Sequence, residues 1–365
     1  MKRRQCVTAG LSLPFWPWLA HGQSGQALRF PRDLGSHPDH AIEWWYITGQ
    51  LQAAQRQFGF QLTFFRSRVP VTQGMTSAFA AKQLIFAHAA VTDVAGQRLL
   101  HDQRIARASG NAHIDLASAS ESDTAVQLGD WSLQRDGASY QAKASGADFS
   151  FQLALRETQP LLLQGDQGWS RKGPEASQAS YYYSLPQLQA SGQLSVAGQS
   201  LPVQGQAWLD HEWSQSLMHP QAIGWDWIGM NLQDGSALTA FRLRTKEGGT
   251  LWAGGSYRKP GLSQAEIFTE TGVIFTPERH WKSPASGVSY PVQWSVQITR
   301  TQATTMPTQT ERFTVKAVID NQELDSRLST GAIYWEGLSE LFDSSGKLVG
   351  RGYLEMTGYA SPLRL

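Results

Sequence analysis

Residues able to do acid–base chemistry are most concentrated between Gly205 and Trp213. The stretch combines two indoles, two carboxyl groups and an imidazole: Trp208, Asp210, His211, Glu212 and Trp213. Successive side chains of a strand point to opposite faces, so Asp210 and His211 face apart, while Glu212 shares the face of Asp210. Burial raises the pKa of a carboxyl group and lowers that of an imidazole, which prepares both for proton transfer near neutral pH. The stretch is therefore either a functional site or a packed polar junction between domains.

Further carboxyl groups lie among aromatic residues elsewhere in the chain. One indole–carboxylate–indole run comprises Trp225, Asp226 and Trp227. Glu43 lies in another aromatic run, just before Trp45, and is either a third site carboxylate or the ion-pair partner of Arg66 or Arg68. Because buried carboxylates are usually paired, the ion pair is the favoured interpretation. The same structural interpretation is stronger for two glutamates near the carboxyl terminus, Glu336 and Glu355.

Metal and nucleophilic chemistry find little support in the sequence. The only cysteine is Cys6, near the amino terminus, so thiolate ligands and disulfides are not expected in the mature chain. No HExxH pattern accompanies the candidate histidine ligands: His37, His40, His88, His211 and His219. No G-x-S-x-G elbow precedes a helix, which argues against a serine hydrolase. We expect no metal and no cofactor.

The amino terminus has the features of a signal peptide. Lys2-Arg3-Arg4 is followed by an apolar run from Cys6 to Ala20, and Ala20-His21-Gly22 is a small-x-small cleavage site. We therefore predict a signal peptide over residues 1–22 and a periplasmic or secreted mature protein that begins at Gln23. The adjacent arginines partly match a twin-arginine signal.

Composition excludes some functions and favours others. Removal of residues 1–22 leaves 28 Lys and Arg against 30 Asp and Glu, a net charge of −2 that offers no footprint for nucleic acid. The chain contains 14 Trp, 10 Tyr and 15 Phe, which is more aromatic surface than two plain cores need and favours aromatic-lined cavities. No segment is long and apolar enough to predict a membrane span.

Aromatic and β-branched runs alternate with Gly, Asp and Pro turns along the mature chain, which is typical of strands. Helical periodicity is scarce, so the pattern predicts an all-β protein, and about eight strands in each half fit two consecutive antiparallel barrels. A chain of 365 residues is also too long for one ordinary core. We predict a linker over residues 23–36, a first domain over 37–215 and a second domain over 216–365.

Three sets of residues, taken in order, resemble a known family. They are His37–Gly49 with its Glu43-Trp44-Trp45-Tyr46 run, Gly205–Trp213, and Tyr334–Gly337 together with Gly350–Tyr359. In this order they resemble the AttH-like / carotenoid 1,2-hydratase family, and the similarity covers nearly the whole mature chain. The resemblance implies two consecutive lipocalin-like β-barrel domains.

What the resemblance implies for activity is broader. One branch of the family hydrates a terminal alkene of acyclic carotenoids, whereas another consists of secreted proteins that accompany ABC-type export systems. The signal peptide makes this chain more similar to the second branch. Hydration of an alkene needs a neutral acid, a held water molecule and stabilisation of a cation, which indole faces provide.

Three function classes remain open. The favoured one is a secreted protein that binds an apolar small molecule, such as a lipid or isoprenoid, and is accessory to an ABC-type export system. The alternative is a hydro-lyase. The third is a scaffold or accessory subunit of a membrane export complex, with no small-molecule site. The catalytic candidates are Asp210, His211 and Asp226. The ligand-binding candidates are Trp208, Trp213, Trp225, Trp227, Glu43 and Trp45. A pocket that touches His211 and Asp226 would favour either of the first two classes.

Overall fold

The computed structural model describes residues 25–216, 218–300 and 309–363. Within these ranges the chain is all-β, with 23 strands in two antiparallel sheets and two 3-10 turns at Arg32–Leu34 and Pro70–Thr72. The expectation of two consecutive lipocalin-like barrel domains with little helix is confirmed. The predicted signal peptide, residues 1–22, lies outside the described residues. No helix among the described residues is long and apolar enough to span a membrane.

The first sheet contains thirteen strands, more than the eight expected, because several are short. They are β1 (Ile42–Ala53), β2 (Arg56–Arg68), β3 (Gln83–Asp93), β4 (Arg98–Ala108), β5 (Ala117–Ala119), β6 (Ala125–Leu128), β7 (Trp131–Asp136), β8 (Ser139–Ser145), β9 (Phe149–Arg156), β10 (Leu162–Leu163), β11 (Trp169–Arg171), β12 (Ala179–Val196) and β13 (Gln199–Ser214). The strand order is β4-β3-β2-β1-β13-β12-β9-β8-β7-β6-β5, and β10 and β11 both pair with β12.

The first sheet curls around a core of its own. In β2, alternate residues such as Phe58, Phe60 and Leu62 are fully buried, as expected for a strand with one face on a core. The same core includes Trp131 from β7 and Leu153 from β9, near the other end of the strand order. Strands from both ends of one sheet can share a core only if the sheet bends round on itself, so this unit is a filled barrel.

The second sheet contains ten strands. They are β14 (Gly224–Leu232), β15 (Ala237–Arg244), β16 (Thr250–Arg258), β17 (Glu266–Phe268), β18 (Val273–Lys282), β19 (Ser289–Arg300), β20 (Gln309–Ala317), β21 (Glu323–Ser326), β22 (Ala332–Phe342) and β23 (Leu348–Met356). The strand order is β17-β16-β15-β14-β23-β22-β20-β19-β18, with β21 paired to β22. Its core is built around two fully buried indoles, Trp294 and Trp335.

The two sheets pack directly against each other. A third apolar cluster lies between them and contains Tyr46 and Trp208 from the first sheet and Trp227 and Tyr353 from the second. A Cβ atom at Gly59 would lie 2.6 Å from the Tyr353 hydroxyl, so the close approach of the sheets there requires glycine. The strands at this junction therefore have both faces covered, one by a barrel core and the other by the opposing sheet.

Polar side chains also bridge the two sheets. The Gln187 side-chain amide donates 2.9 Å hydrogen bonds to the carbonyl oxygens of Leu232 and Ser236. Gln187 has a left-handed φ of 57° and lies where the pairing of β12 with β13 shifts register, so a β-bulge directs this side chain to the second sheet. The Arg258 guanidinium donates in the opposite direction, to the Pro160 carbonyl oxygen at 2.7 Å.

Candidate functional site

A cleft opens between the two sheets, with a cavity volume of about 120 Å³. Aromatic side chains from both barrels form most of its walls: Trp44, Tyr46, Phe65, Phe86, Tyr182, Trp225, Trp227, Phe241 and Tyr334. Four carboxyl groups interrupt this surface: Asp210, Glu212, Glu336 and Glu355. An aromatic concave surface with a few convergent polar groups is the usual form of a small-molecule site. We refer to this space as the inter-barrel cleft.

Asp210 is held in the cleft wall by three hydrogen bonds. Its Oδ1 accepts from the Ser184 hydroxyl at 2.5 Å and from the Trp208 indole at 2.7 Å, and its Oδ2 accepts from the Tyr182 hydroxyl at 2.8 Å. Burial raises the pKa of Asp210 to about 7, and these hydrogen bonds only partly offset that rise. Asp210 is therefore a fixed carboxyl group that holds or releases a proton close to neutral pH.

Glu212, one pleat further along β13, has a different environment. Its Oε1 lies 3.0 Å from the Lys172 ammonium nitrogen, and it also accepts a hydrogen bond from Ser180. Lys172 lies over the rings of Tyr182 and Phe241, at 4.8 and 4.3 Å from their centroids. The charge of Lys172 is thus balanced by Glu212 and further stabilised by two cation–π contacts. Asp210 has no comparable cation among its contacts in the described residues.

Glu336 and Glu355 lie beside each other on neighbouring strands, in the wall of the cleft that the second sheet forms. They are directly opposed in the pairing of β22 with β23, an arrangement that is unfavourable for two like charges. Burial, followed by the charge of Glu355, raises the pKa of Glu336 well above its ordinary value. Burial also raises the pKa of Glu355 to about 7, with Asp210 and Glu212 adding to the effect and the Trp225 indole opposing it. The two walls thus provide carboxylic acids that remain neutral under mildly acidic conditions.

A hydrogen-bonded histidine–tyrosine pair also lines the cleft. His88 Nδ1 lies 2.7 Å from the Tyr334 hydroxyl, and His88 Nε2 lies 2.8 Å from the Ser329 hydroxyl. Ser329 in turn donates to Gln103 at 2.7 Å. Burial lowers the pKa of His88 to about 3, so the imidazole is neutral. The Ser329 hydroxyl donates its proton to Gln103, so His88 Nε2 is the donor in the contact with Ser329. His88 Nδ1 then accepts a hydrogen bond from the Tyr334 hydroxyl.

The opposite face of β13 points into the first barrel. His211 is fully buried there, with Nε2 at 2.9 Å from Glu43 Oε1, Nδ1 at 2.9 Å from the Tyr183 hydroxyl, and its ring stacked on Trp45. Burial lowers the pKa of His211 to about 4 despite the carboxylate beside it. The imidazole is therefore a neutral hydrogen-bonding bridge in the core, on the side of the strand away from the cleft.

Glu43 is the centre of this buried network. Its Oε2 forms a 2.7 Å ion pair with Arg66, and its Oε1 lies 2.8 Å from His37 Nδ1. Burial opposes ionisation, but the hydrogen bonds from His211 and His37, together with the charge of Arg66, lower the pKa of Glu43 well below its ordinary value. The Glu43–Arg66 pair is one of the two alternatives that the sequence left open.

His37, Glu43 and His211 also form the group of described residues whose donor atoms could hold a metal ion, since these atoms lie within 4.8 Å of one another. Two imidazoles and a carboxylate are suitable ligands for a transition metal. Here both imidazoles contact the same Glu43 oxygen directly, and Arg66 occupies the other oxygen. The set fits a closed hydrogen-bond network better than a metal centre.

Asp226 lies away from the cleft, between Trp225 and Trp227 in sequence but on the other face of β14. Its Oδ2 is 2.7 Å from Arg242 Nε and 3.2 Å from Arg244 Nε. Its Oδ1 accepts a 2.9 Å hydrogen bond from the Tyr359 hydroxyl. Asp226 is thus a paired carboxylate of the second barrel, and the cleft does not contact it.

The structure divides the candidate residues between two environments. The inter-barrel cleft is lined by Asp210, Trp225 and Trp227. Trp208 is not among the residues that line the cleft, but its indole donates a hydrogen bond to Asp210. The remaining candidates lie within the barrels: Glu43, Trp45, His211, Trp213 and Asp226. From the sequence, a pocket that touches both His211 and Asp226 would favour a ligand site there. Among the described residues, the cleft touches neither of them.

Sequence reasoning gave no site role to several cleft residues: Tyr46, Lys172, Tyr182, Glu336 and Glu355. The signal for the two glutamates was their position within aromatic strands, which the sequence interpretation assigned to structural pairing. In the structure no cation pairs with either glutamate among the described residues. The arrangement can bind an apolar molecule and offer it neutral acids, one of them fixed by three donors.

Two lipocalin-like barrels with an aromatic, carboxyl-lined cleft between them define the class of protein. The chain belongs to the AttH-like family, whose model matches residues 21–359. An AttH-like protein from Nitrosomonas europaea has 44% sequence identity with this chain, and the match covers 92% of this chain and 98% of that chain. Its crystal structure superposes on this one with a TM-score of 0.82.

Two more distant structures share the fold alone. Kievitone hydratase from Nectria haematococca is 14% identical, covers 92% of this chain and 94% of that one, and gives a TM-score of 0.67. CghA in complex with Sch210972 is 12% identical, covers 88% of each chain and gives a TM-score of 0.52. None of the curated proteins compared with the chain matches it.

Proposed function

We propose that this protein is a hydro-lyase that binds an apolar unsaturated molecule in the inter-barrel cleft and adds water across a carbon–carbon double bond. The observation that carries the proposal is a buried carboxyl group, Asp210, that three hydrogen bonds fix in the wall of an aromatic cleft. Its burial raises its pKa to about 7. A general acid works best when its pKa lies near the operating pH. One structural relative with the same fold is a hydratase.

Asp210 is the proton donor in this proposal. Ser184, Trp208 and Tyr182 hold its carboxyl group in one orientation, so the proton is delivered to one face of a bound alkene. Water bonds to the neighbouring carbon and returns one proton to the Asp210 carboxylate, which restores the acid. His211 and Asp226 take no part in this step, since neither lines the cleft.

The aromatic walls bind the substrate and stabilise the electron-poor carbon. Trp225 and Trp227 present indoles to the cleft, and Phe241 adds a further ring. Aromatic faces attract positive charge, and the attraction strengthens when water is excluded. The same surfaces account for affinity toward apolar molecules, because their burial by a ligand removes apolar area from water.

The test is hydration in oxygen-18 water. The mature protein is incubated with acyclic isoprenoids, unsaturated fatty acids and aromatic enones, and mass spectrometry detects a product one labelled water heavier. We expect turnover to fall as the pH rises through about 7, because Asp210 then loses its proton. Asp210→Asn should lower the rate by about 100-fold or more while the fold is retained.

Asp93→Asn is the matched control. Asp93 is another buried aspartate of the first barrel, 2% exposed, and it does not line the cleft. Its substitution should leave the rate unchanged. Equal rates for Asp210→Asn and the wild type would rule out Asp210 as the acid, and no labelled product from any substrate class would rule out the hydro-lyase.

Binding without turnover is the second candidate, and one observation favours it. The carboxyl group of Asp210 accepts three hydrogen bonds, which also suits a group that only anchors a ligand. On this alternative the protein is a carrier of an apolar molecule such as a lipid or isoprenoid. Saturable quenching of tryptophan emission without any labelled product would support it.

We further propose export to the periplasm by the signal peptide at residues 1–22. The basic Lys2-Arg3-Arg4 segment, the apolar run and the small-x-small site support this location. Association with an ABC-type permease is supported by the resemblance to the secreted branch of the family. Mass spectrometry of the exported protein should find Gln23 as the first residue, and retention of residues 1–22 would contradict the proposal.

A further inference from the structure

Two buried oxygen atoms in the inter-barrel cleft lack hydrogen-bond partners. They are the Tyr46 hydroxyl and Glu336 Oε1, and neither has a partner among the residues that the structure describes. Tyr46 is 6% exposed and Glu336 is 2% exposed, and both line the cleft. Buried polar atoms in proteins are almost always satisfied, so a pair left open toward a cleft indicates a missing partner. The two groups are neighbours: a side-chain contact between them contributes to the pKa shift of each, yet it does not have the geometry of a hydrogen bond.

The chemistry of the missing partner follows from the groups around this pair. Burial raises the pKa of Tyr46 well above its ordinary value, and burial together with Glu355 does the same for Glu336, so the protonated form of each group is favoured. The other nearby hydroxyl, that of Tyr334, already donates to His88. Tyr46 and Glu336 therefore offer two neutral O–H donors to the same space.

An oxygen with two lone pairs is the natural partner of two converging O–H donors. Resting on the proposed function, we propose that Tyr46 and Glu336 bind a carbonyl oxygen of the substrate, so that the substrate class is an apolar molecule whose double bond is conjugated to a carbonyl group. A tyrosine hydroxyl beside a neutral carboxylic acid is an arrangement that stabilises an oxyanion in an apolar site. Lys172 does not compete for this oxygen, because it is paired with Glu212.

This binding mode fixes the direction of the hydration step. The two donors draw electrons from the double bond toward the carbonyl oxygen, which leaves the β-carbon electron-poor. The water oxygen bonds to that carbon, the α-carbon takes the proton of Asp210, and the water proton returns to the Asp210 carboxylate. The carbon–carbon π bond and one O–H bond of water are broken, and one C–O and one C–H bond are formed. The product is a β-hydroxy carbonyl compound.

The test compares two unreactive probes of similar shape, 2-acetylnaphthalene and 2-isopropylnaphthalene, by tryptophan quenching of the mature protein. The wild type should bind the ketone about tenfold or more tightly than the hydrocarbon, as expected when buried donors find an acceptor. This preference should disappear in Tyr46→Phe and in Glu336→Leu. It should be largely retained in Glu336→Gln, because the amide still donates a hydrogen bond.

Tyr353→Phe is the matched control, since Tyr353 is a buried tyrosine of the same interface that does not line the cleft. It should keep the preference for the ketone. Equal binding of both probes by the wild type, or an unchanged preference in Tyr46→Phe, would overturn the carbonyl site and leave the proposed function standing. Failure of the wild type to bind either probe would count against both. The wild-type comparison requires no substitution, so it remains decisive if a variant does not fold.

Discussion

Glu43 and Glu336 are both buried glutamates on strands rich in aromatic residues, yet their hydrogen-bond partners differ and their pKa values shift in opposite directions. Glu43 contacts Arg66, His37 and His211, and its pKa is lowered well below the ordinary value. Glu336 has Glu355 opposite it and an oxygen without a partner among the described residues, and its pKa is raised. Burial alone therefore does not identify a functional carboxyl group. The completeness of its hydrogen-bond partners is the informative property.

The same substitution at both positions tests this contrast most strongly. Glu43→Gln should lower the free energy of unfolding by about 3–5 kcal/mol, because it leaves the Arg66 charge buried without its counter-ion. Glu336→Gln should change it by less than about 1 kcal/mol, since Gln keeps the shape of Glu336 and the raised pKa of Glu336 already favours its neutral form. Urea denaturation at pH 7 measures both. Similar losses for the two variants would show that Glu336 is as much a structural residue as Glu43.

The pH dependence of stability should distinguish Asp210 from the paired carboxylates. The pKa of Asp210 in the folded protein is about 7, above the ordinary value of 3.8. The stability contributed by its neutral form is therefore fully present below pH 3.8 and is lost as the pH rises to about 7. Asp210→Asn removes this loss, so between pH 4.5 and 8 the variant should gain about 3 kcal/mol relative to the wild type.

Glu43 has the reverse dependence. Its folded-state pKa lies below the ordinary value of 4.5, so its contribution to stability is present above that pH and is lost as the pH falls through the folded-state pKa.

The prediction for Asp210 is checked by urea denaturation curves of the wild type and of Asp210→Asn at pH 4.5 and pH 8. A constant difference between the two proteins would mean that Asp210 is ionised throughout this range.

His211 and Asp210 provide the smallest and most local comparison, because they are adjacent in β13 and face opposite sides. His211→Gln disturbs hydrogen bonds to Glu43 and Tyr183 and should cost about 1–3 kcal/mol of stability. The affinity for 2-acetylnaphthalene should be unchanged, since His211 does not line the cleft. Fluorescence titration of the variant under folded conditions measures this. A large loss of affinity in a folded His211→Gln variant would place the ligand on the barrel side of the strand.

The fold could be predicted well from the sequence, because its signals are local. Turn residues between aromatic and β-branched runs predicted antiparallel strands, and the ordered motifs predicted two lipocalin-like barrels; both predictions are confirmed. Alternation in β13 placed Asp210 and His211 on opposite faces, in agreement with the structure. The same rule, applied to β14, separates Asp226 from the indoles of Trp225 and Trp227.

The composition of the cleft could not be read from local signals. Glu336 and Glu355 share the cleft with Asp210 only because the second sheet packs onto the first, and that packing depends on side chains far apart in sequence, such as Gln187 and Arg258. Period-two alternation shows which face of a strand a residue occupies, but not which sheet will cover that face. The pairing of Glu43 with Arg66 could be predicted from the sequence, by contrast, because the two residues lie on strands that are consecutive in the chain.

The cleft has one wall in each barrel, and this has a thermodynamic consequence for the docking of the barrels. A ligand in the cleft contacts Tyr182 of one barrel and Tyr334 of the other, so it stabilises the docked arrangement of the barrels. The free energy of this stabilisation equals the free energy that docking contributes to ligand binding. Ligand binding and inter-barrel association are thus reciprocally linked. Substitutions at remote bridges such as Gln187 or Arg258 can therefore weaken binding without touching the ligand, and a saturating ligand can restore the cohesion that they remove.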